Sequence, residues 1–387
     1  MFSYLNNLLN SINITSVSFI LSYHFIAFYG LINYEITNID IVSTLIMYVL
    51  TGFGITAGYH RLWSHRSYNA HPILKILLAF FGAGASEGSI IWWSKYHRLH
   101  HYKSDTEDDP YGPQKGFLYS HILWIFENRY LPKLNQVNIY DLKNDKIVMF
   151  QHNYYVLISL LCSIGLPLSY YIIYNYSLIH CIYFPIALSR VLTWHSTWFV
   201  NSLAHSFGTQ PYGKSGTSRN HVFTALLTLG EGNHNYHHEF PYDYRNGIKW
   251  YDYDPTKLLI ELCYKIGLAY NLKTKEDLYI NKSIYRMNLY ERLIVDKELF
   301  SREQSSNENK SISLEEYTNS EYDLIMMNNY VYDLSDFIHK HPGGFNYIKQ
   351  IIRKDQKYVE EMFNKINNHT EAAHKLLEKM KVGKIEN

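Results

Sequence analysis

Apolar positions cluster along the chain rather than alternating evenly. Four stretches are nearly continuous in them: 13–34 (NITSVSFILSYHFIAFYGLINY), 41–59 (IVSTLIMYVLTGFGITAGY), 154–174 (YYVLISLLCSIGLPLSYYIIY) and 178–199 (LIHCIYFPIALSRVLTWHSTWF). Each approaches the ~20 residues a helix needs to cross a hydrocarbon core. A fifth, 73–93, is interrupted by Lys75, Glu87 and glycines. It is expected to dip into the membrane or lie along its interface. The connectors EITNID and NYS carry no Lys or Arg, whereas 60–150 carries many. Positive charge marks the cytosolic side, so the pattern predicts two hairpins with the long middle segment and both termini in the cytosol. No basic region precedes an apolar core with a cleavage site, so no secretory signal peptide is expected.

The pattern changes near residue 300. SREQSSNENKSIS is polar and reads as a linker, and 319–387 combines short apolar alternations with a charged helical tail. The predicted division is a membrane domain over 1–290, a linker over 291–318 and a small soluble domain over 319–387. The predicted fold class is an all-α polytopic membrane protein with four transmembrane helices and a cytosolic helical cap, followed by a small α+β domain.

Composition adds exclusions. The 36 Lys and Arg nearly balance the 35 Asp and Glu, which leaves no global field to attract nucleic acid. Cys162, Cys181 and Cys263 form no CxxC pair, so a reducing environment fits better than a disulfide framework.

Histidine carries the chemistry. YHRLHH holds His97, His100 and His101; HNYHH holds His234, His237 and His238. Spacings of three and four residues place side chains on one helix face. His60 and His65 in HRLWSH lie five apart, which suits a helix end or a turn, and His205 in NSLAH adds a ninth ring. All map to one side of the membrane. Packing does not demand imidazole, whereas zinc, copper, iron and nickel accept it. Nine ligands exceed what one four-coordinate zinc uses, so two metal ions are the simpler inference. Asp105, Glu107, Asp108, Asp109, Glu231 and Glu239 flank the boxes as candidate acceptors that would fix the ring tautomers.

GITAGYHRLWSHRSY, HRLHHYKSDTEDDPYGPQKGFLYSHILW, NSLAHSFGTQPY and GEGNHNYHHEFPYDYRNG together resemble the histidine boxes of membrane acyl-CoA delta-9 (stearoyl-CoA) desaturases, over roughly residues 40–255. The resemblance implies a non-haem di-iron centre that activates oxygen to desaturate an acyl chain in the endoplasmic reticulum membrane. It assigns His60, His65, His97, His101 and His237 to one iron, and His100, His205, His234 and His238 to the other. Asn201 would reach the second iron through water. Trp198 would line a kinked acyl tunnel that ends near Tyr48 and Gly52. Lys95 and Tyr96 stand where many relatives carry an Arg-Asp pair that contacts coenzyme A.

VYDLSDFIHKHPGG, at 331–344, resembles cytochrome b5, with a second histidine in NHTEAAH. That resemblance implies haem b held by His341 and His369, with His374 the competing second ligand. Two histidine ligands leave no open haem position, so this haem would pass electrons rather than bind oxygen. The expected partners are acyl-CoA, oxygen, membrane lipid and an NAD(P)H-cytochrome b5 reductase. The rival readings are desaturation at another position or hydroxylation, and, from a different class, a non-catalytic membrane haem- or metal-binding protein.

Overall fold

The computed structural model describes residues 12–128, 131–214, 216–308, 310–335, 337–338, 341, 345–365, 369 and 371–386. The chain forms two compact units, Met1–Met287 and Asn288–Asn387. The larger is almost wholly helical.

Helix α1 (Ile14–Asn33) starts at Asn13, whose side chain accepts the N–H of Ser16. Helix α2 (Asn38–Ser64) starts on a reciprocal capping box between Thr37 and Asp40. Asp40 also accepts from the Tyr171 hydroxyl at 3.0 Å and meets His180 Nδ1 at 2.9 Å, which ties the ends of three helices together. From Gly54 the coil of α2 widens into a π-helix that runs to Ser64. The i to i+5 bond of that coil appears at its end, where His65 N–H donates to His60 C=O at 3.1 Å.

Helix α3 (Pro72–Gly84) packs on this widened stretch. The contact requires glycine, since a Cβ on Gly54 would lie 2.2 Å from the backbone N of Gly82. Helix α4 (Ile90–Lys103) is capped by Ser89. Helix α5 (Tyr155–Ile173) is followed by α6, residues 178–206, which widens around Pro185 where an N–H is missing. Further helices of the larger unit are Lys146–Asn153, the short Val222–Leu227, α7 (His234–Glu239) and α8 (Pro255–Lys265), and α9 (Asp277–Glu308) leads out of it. Strand β1 (Asn69–Ala70) pairs antiparallel with β2 (Ala269–Tyr270).

Among the described residues, α1, α2 and α5 are long and apolar enough to cross a membrane. The predicted fourth span falls on α6 and is not among them, because Arg190, His180 and His195 dilute its hydropathy. The 73–93 stretch is not one segment. Its first part is α3, whose 13 residues are too short to cross, and its last residues open α4.

The stretch read as a linker is mostly helix α9. The 32 residues of α9 contain no Gly or Pro and many good helix formers. The smaller unit also contains elements before residue 319. Strand β3 (Ser311–Ile312) pairs in parallel with β6 (Lys381–Ile385), and helix α10 (Leu314–Asn319) carries its own capping box, Ser313 with Glu316. With β4 (Leu324–Met327) and β5 (Tyr330–Asp333) the sheet order is β3-β6-β5-β4. Helices α11 (Phe345–Ile351), α12 (Gln356–Lys365) and α13 (Glu371–Glu378) complete it. Ile325, Tyr332, Leu334, Ile338, Val359 and Leu377 form its larger core.

Candidate metal centre

Four elements deliver the nine imidazoles. The π-helical end of α2 supplies His60 and His65. Five-residue spacing suits that wider coil, so the pair occupies a π-helix and its cap rather than a loop. Helix α4 supplies His97, His100 and His101, the last turn of α6 supplies His205, and α7 supplies His234, His237 and His238.

The rings gather in two groups. His60, His65, His97, His101 and His237 form one; His100, His205, His234 and His238 form the other. Within each group the candidate ligand atoms all lie within 4.8 Å of one another. The middle box is split between them, with His97 and His101 one turn apart on one side and His100 on the other. The Nε2 atoms face inward: His65 to His97 is 2.7 Å, His101 to His237 2.9 Å, His205 to His234 3.0 Å and His100 to His238 3.2 Å.

Outward, three Nδ1 atoms lie close to oxygen acceptors, whereas the buried His234 Nδ1 has no hydrogen-bond partner among the described residues. His60 Nδ1 lies 2.8 Å from Glu231 Oε2, and His100 Nδ1 lies 2.9 Å from Asp109 Oδ1. His205 Nδ1 lies 2.8 Å from the Thr217 hydroxyl, which donates onward to Asp105 at 2.5 Å. A neutral imidazole has one N–H and one lone pair. Where Nδ1–H is committed to an acceptor, the lone pair is on Nε2 and points at the other lone pairs. Burial first, then the neighbouring imidazoles, hold His97, His101, His234, His237 and His238 well below the usual histidine range. Protonation therefore does not relieve the crowding. A cation at each point of convergence does, and all-imidazole donors suit a borderline transition metal.

Of the six flanking carboxylates, Glu231 and Asp109 reach rings directly and Asp105 does so through Thr217. Asp108 pairs with Lys133, Glu239 with Arg286 at 3.4 Å, and Glu107 is exposed. Although burial opposes it, the His100 ring holds the Asp109 carboxyl below its usual value. The sequence reading missed Arg61. It is fully buried, gives two N–H bonds to Glu231 Oε1 at 3.0 and 3.1 Å, and pairs with Asp254 at 2.8 Å. Its only signal was adjacency to His60.

A cavity of about 940 Å³ runs beside the centre, with His60, His97 and His234 in its wall. Tyr48, Gly52, Trp198 and Asn201 all line it, and Asn201 is buried one turn before His205. Glu87, which the sequence reading treated only as an interruption of an apolar run, also lines it. Glu87 accepts from Trp93 Nε1 at 3.1 Å and from the Thr197 hydroxyl at 2.9 Å, and burial pushes its carboxyl up to about 7.

In the smaller unit, His341 is held below its usual range by burial and by the field of His369. The His369 ring stacks on Phe363 at 3.9 Å, and its buried Nδ1 has no hydrogen-bond partner among the described residues. His374 meets Phe363 edge-on at 5.5 Å. Asn368 and the last three residues of the HPGG turn lie outside the described residues.

Comparison with known proteins agrees with both units. The fatty acid desaturase family model matches residues 40–274, and the cytochrome b5-like haem/steroid-binding domain matches residues 312–386, which indicates haem. A probable acyl-CoA desaturase of Schizosaccharomyces pombe is 38% identical over 93% of this chain and 74% of its own length. Acyl-CoA desaturase 1 of Saccharomyces cerevisiae is 38% identical over 87% of this chain and 66% of its own. The delta(9)-fatty-acid desaturase fat-6 of Caenorhabditis elegans is 34% identical over 70% and 81%. The chain therefore belongs to the fatty acid desaturase family, as an oxidoreductase of the acyl-CoA desaturase type that carries a cytochrome b5-like domain at its C-terminal end.

Proposed function

We propose that the protein inserts a cis double bond at carbon 9 of a saturated long-chain acyl-CoA, using oxygen and electrons that enter through its own cytochrome b5-like domain. His60, His65, His97, His101 and His237 would hold one iron. His100, His205, His234 and His238 would hold the second, with Asn201 reaching it through water. The observation that carries this reading is the inward convergence of nine imidazoles beside an apolar cavity.

When bound, the irons supply the oxygen activation that removes two hydrogens from adjacent methylenes. The remaining work belongs to the chain. Neutral imidazoles add no negative charge, which keeps such a pair strongly oxidising. Asp109 and the Thr217–Asp105 relay accept at Nδ1 of His100 and His205 and so leave Nε2 free, while Glu231 sets a negative charge beside His60 Nδ1. Trp198, Tyr48 and Gly52 shape the cavity that orients an unreactive chain and excludes water.

His341 and His369 would ligate haem b, and two histidine ligands would restrict it to electron transfer. A cytochrome b5 reductase using NAD(P)H would supply the electrons. We further place the enzyme in the endoplasmic reticulum membrane with α1, α2, α5 and α6 crossing as two hairpins and the centre cytosolic. The absence of Lys and Arg from both short connectors supports that orientation.

The test is fatty-acid profiling in a cell unable to make unsaturated acids. The full chain should restore a delta-9 monoene, and His97→Ala should abolish it. A hydroxylated acid or a double bond elsewhere as the main product would overturn the assignment.

A further inference from the structure

We propose that Arg98 is a positioning residue for the metal group that contains His65 and His97, an inference that rests on the two-metal reading above. Arg98 lies on α4, directly after His97 and two residues before His100. Its guanidinium bonds the backbone beside the rings, and there it clamps the π-helical end of α2 against α4.

All five N–H groups of the guanidinium are engaged. Nε donates to Ser64 C=O at 3.1 Å, and Nη2 donates to Trp63 C=O at 2.7 Å. Nη1 donates to Asn138 C=O at 2.8 Å. The Asp141 carboxylate takes the remaining pair, at 2.8 and 2.7 Å. The clamp therefore joins the end of α2, α4 and the stretch that leads into the short helix Tyr140–Lys143.

The Trp63 and Ser64 carbonyls need an outside donor. The last carbonyls of a helix have no partner within it. Trp63 and Ser64 are buried, and a carbonyl left unpaired there costs free energy. The planar fork of an arginine reaches adjacent carbonyls and a carboxylate together, which a point charge does not. One turn earlier on α4, Ser94 Oγ lies 3.0 Å from Ser64 Oγ and ties the same elements again.

The clamp sits one residue from a ligand on each side. Ser64 precedes His65, Arg98 follows His97, and the Nε2 atoms of those two rings lie 2.7 Å apart. Joining Ser64 to Arg98 therefore sets how closely His65 approaches His97. His205, His234 and His238 of the other group arrive on α6 and α7, outside the clamped segments. Loosening the clamp should weaken one metal site and spare the other.

The experiment uses the full chain in detergent with its haem, alongside Arg98→Leu, Arg98→Lys and Asp141→Asn. Each is stripped of non-haem iron and dialysed anaerobically against buffered Fe2+ at graded concentrations. The readout is non-haem iron per chain, total iron less haem iron. The parent should fill two sites. In Arg98→Leu one site should need about 10–100-fold more Fe2+, the usual effect of losing an outer support of ligating histidines, while the other fills as before. Arg98→Lys should recover little of this, because an ammonium cannot reproduce the fork. Asp141→Asn keeps the guanidinium, should shift the same site less, and keeps the test available if the Arg98 variants fail to fold. A lower unfolding temperature with both sites filling as in the parent marks a merely structural role and overturns the proposal. An equal shift of both sites overturns it too. If the parent itself takes up no Fe2+, the metal-centre reading fails first, and that result is distinct from a variant that matches a loaded parent.

Discussion

Glu231 Oε2 lies 2.8 Å from His60 Nδ1, while its other oxygen accepts from Arg61, the next residue along α2. One carboxylate thus sets its charge beside a candidate ligand and neutralises the adjacent buried cation. Glu231→Gln keeps the shape and removes the charge. Metal affinity at the group containing His60 should fall about 10–100-fold, the usual effect of losing an outer partner of a ligating histidine. Non-haem iron retained after dialysis against a chelator measures it, with haem absorbance as the internal control.

Arg61 is the counterpart. It satisfies Glu231 and Asp254 together, and Asp254 Oδ2 also accepts the N–H groups of Asn246 and Gly247 at 2.8 and 3.0 Å. Arg61→Leu leaves two buried carboxylates without the cation they share. The expected loss is about 3–5 kcal/mol, read by thermal unfolding of the detergent-solubilised chain. Arg61→Lys should recover only part of it, because an ammonium cannot reproduce the fork.

Glu87 sets a pH dependence. Burial raises its carboxyl from the usual 4.5 to about 7. Between those values the folded state holds a proton that the unfolded chain has released, so stability from this group falls as pH rises from about 4.5 to 7. Glu87→Gln removes the dependence while keeping acceptor capacity toward Trp93 and Thr197. The variant should match the parent near pH 5 and unfold at a higher temperature near pH 8, by at most about 3 kcal/mol. Paired melting curves at the two pH values check the sign.

The two cofactor sites should separate cleanly. His97→Ala is expected to abolish desaturation and lower non-haem iron while leaving the haem spectrum intact. His341→Ala should erase the haem spectrum and leave non-haem iron in place. A haem loss in His97→Ala would contradict the division of the ligands between two units.

Much of the site could be read in the sequence because its chemistry is periodic. The i, i+3, i+4 spacing in YHRLHH and HNYHH brings side chains to one helix side, and both segments are helical. HRLWSH was harder, because five residues fit no face of an α-helix and local sequence does not signal an extended π-helix. The acceptors were harder still. Asp105, Asp108 and Asp109 sit in one short acidic run, yet only the fold decides that Asp109 meets His100, Asp105 meets Thr217 and Asp108 turns to Lys133. Arg61 left no trace of its role, since in sequence it looks like any charged neighbour of a histidine. The small unit begins earlier than composition suggested because the parallel pairing of Ser311–Ile312 with β6 spans most of the domain's length in sequence.

The wide coil at Gly54–Ser64 has a thermodynamic consequence. Wound as an ordinary α-helix, His60 and His65 would project about 140° apart around the axis, and they could not share one focus. A cation bound at that focus would therefore favour the wide coil, and occupancy and winding would be linked equilibria. Amide hydrogen exchange across 54–65 would register the coupling, slowing on loading and quickening on depletion, without any reference to turnover.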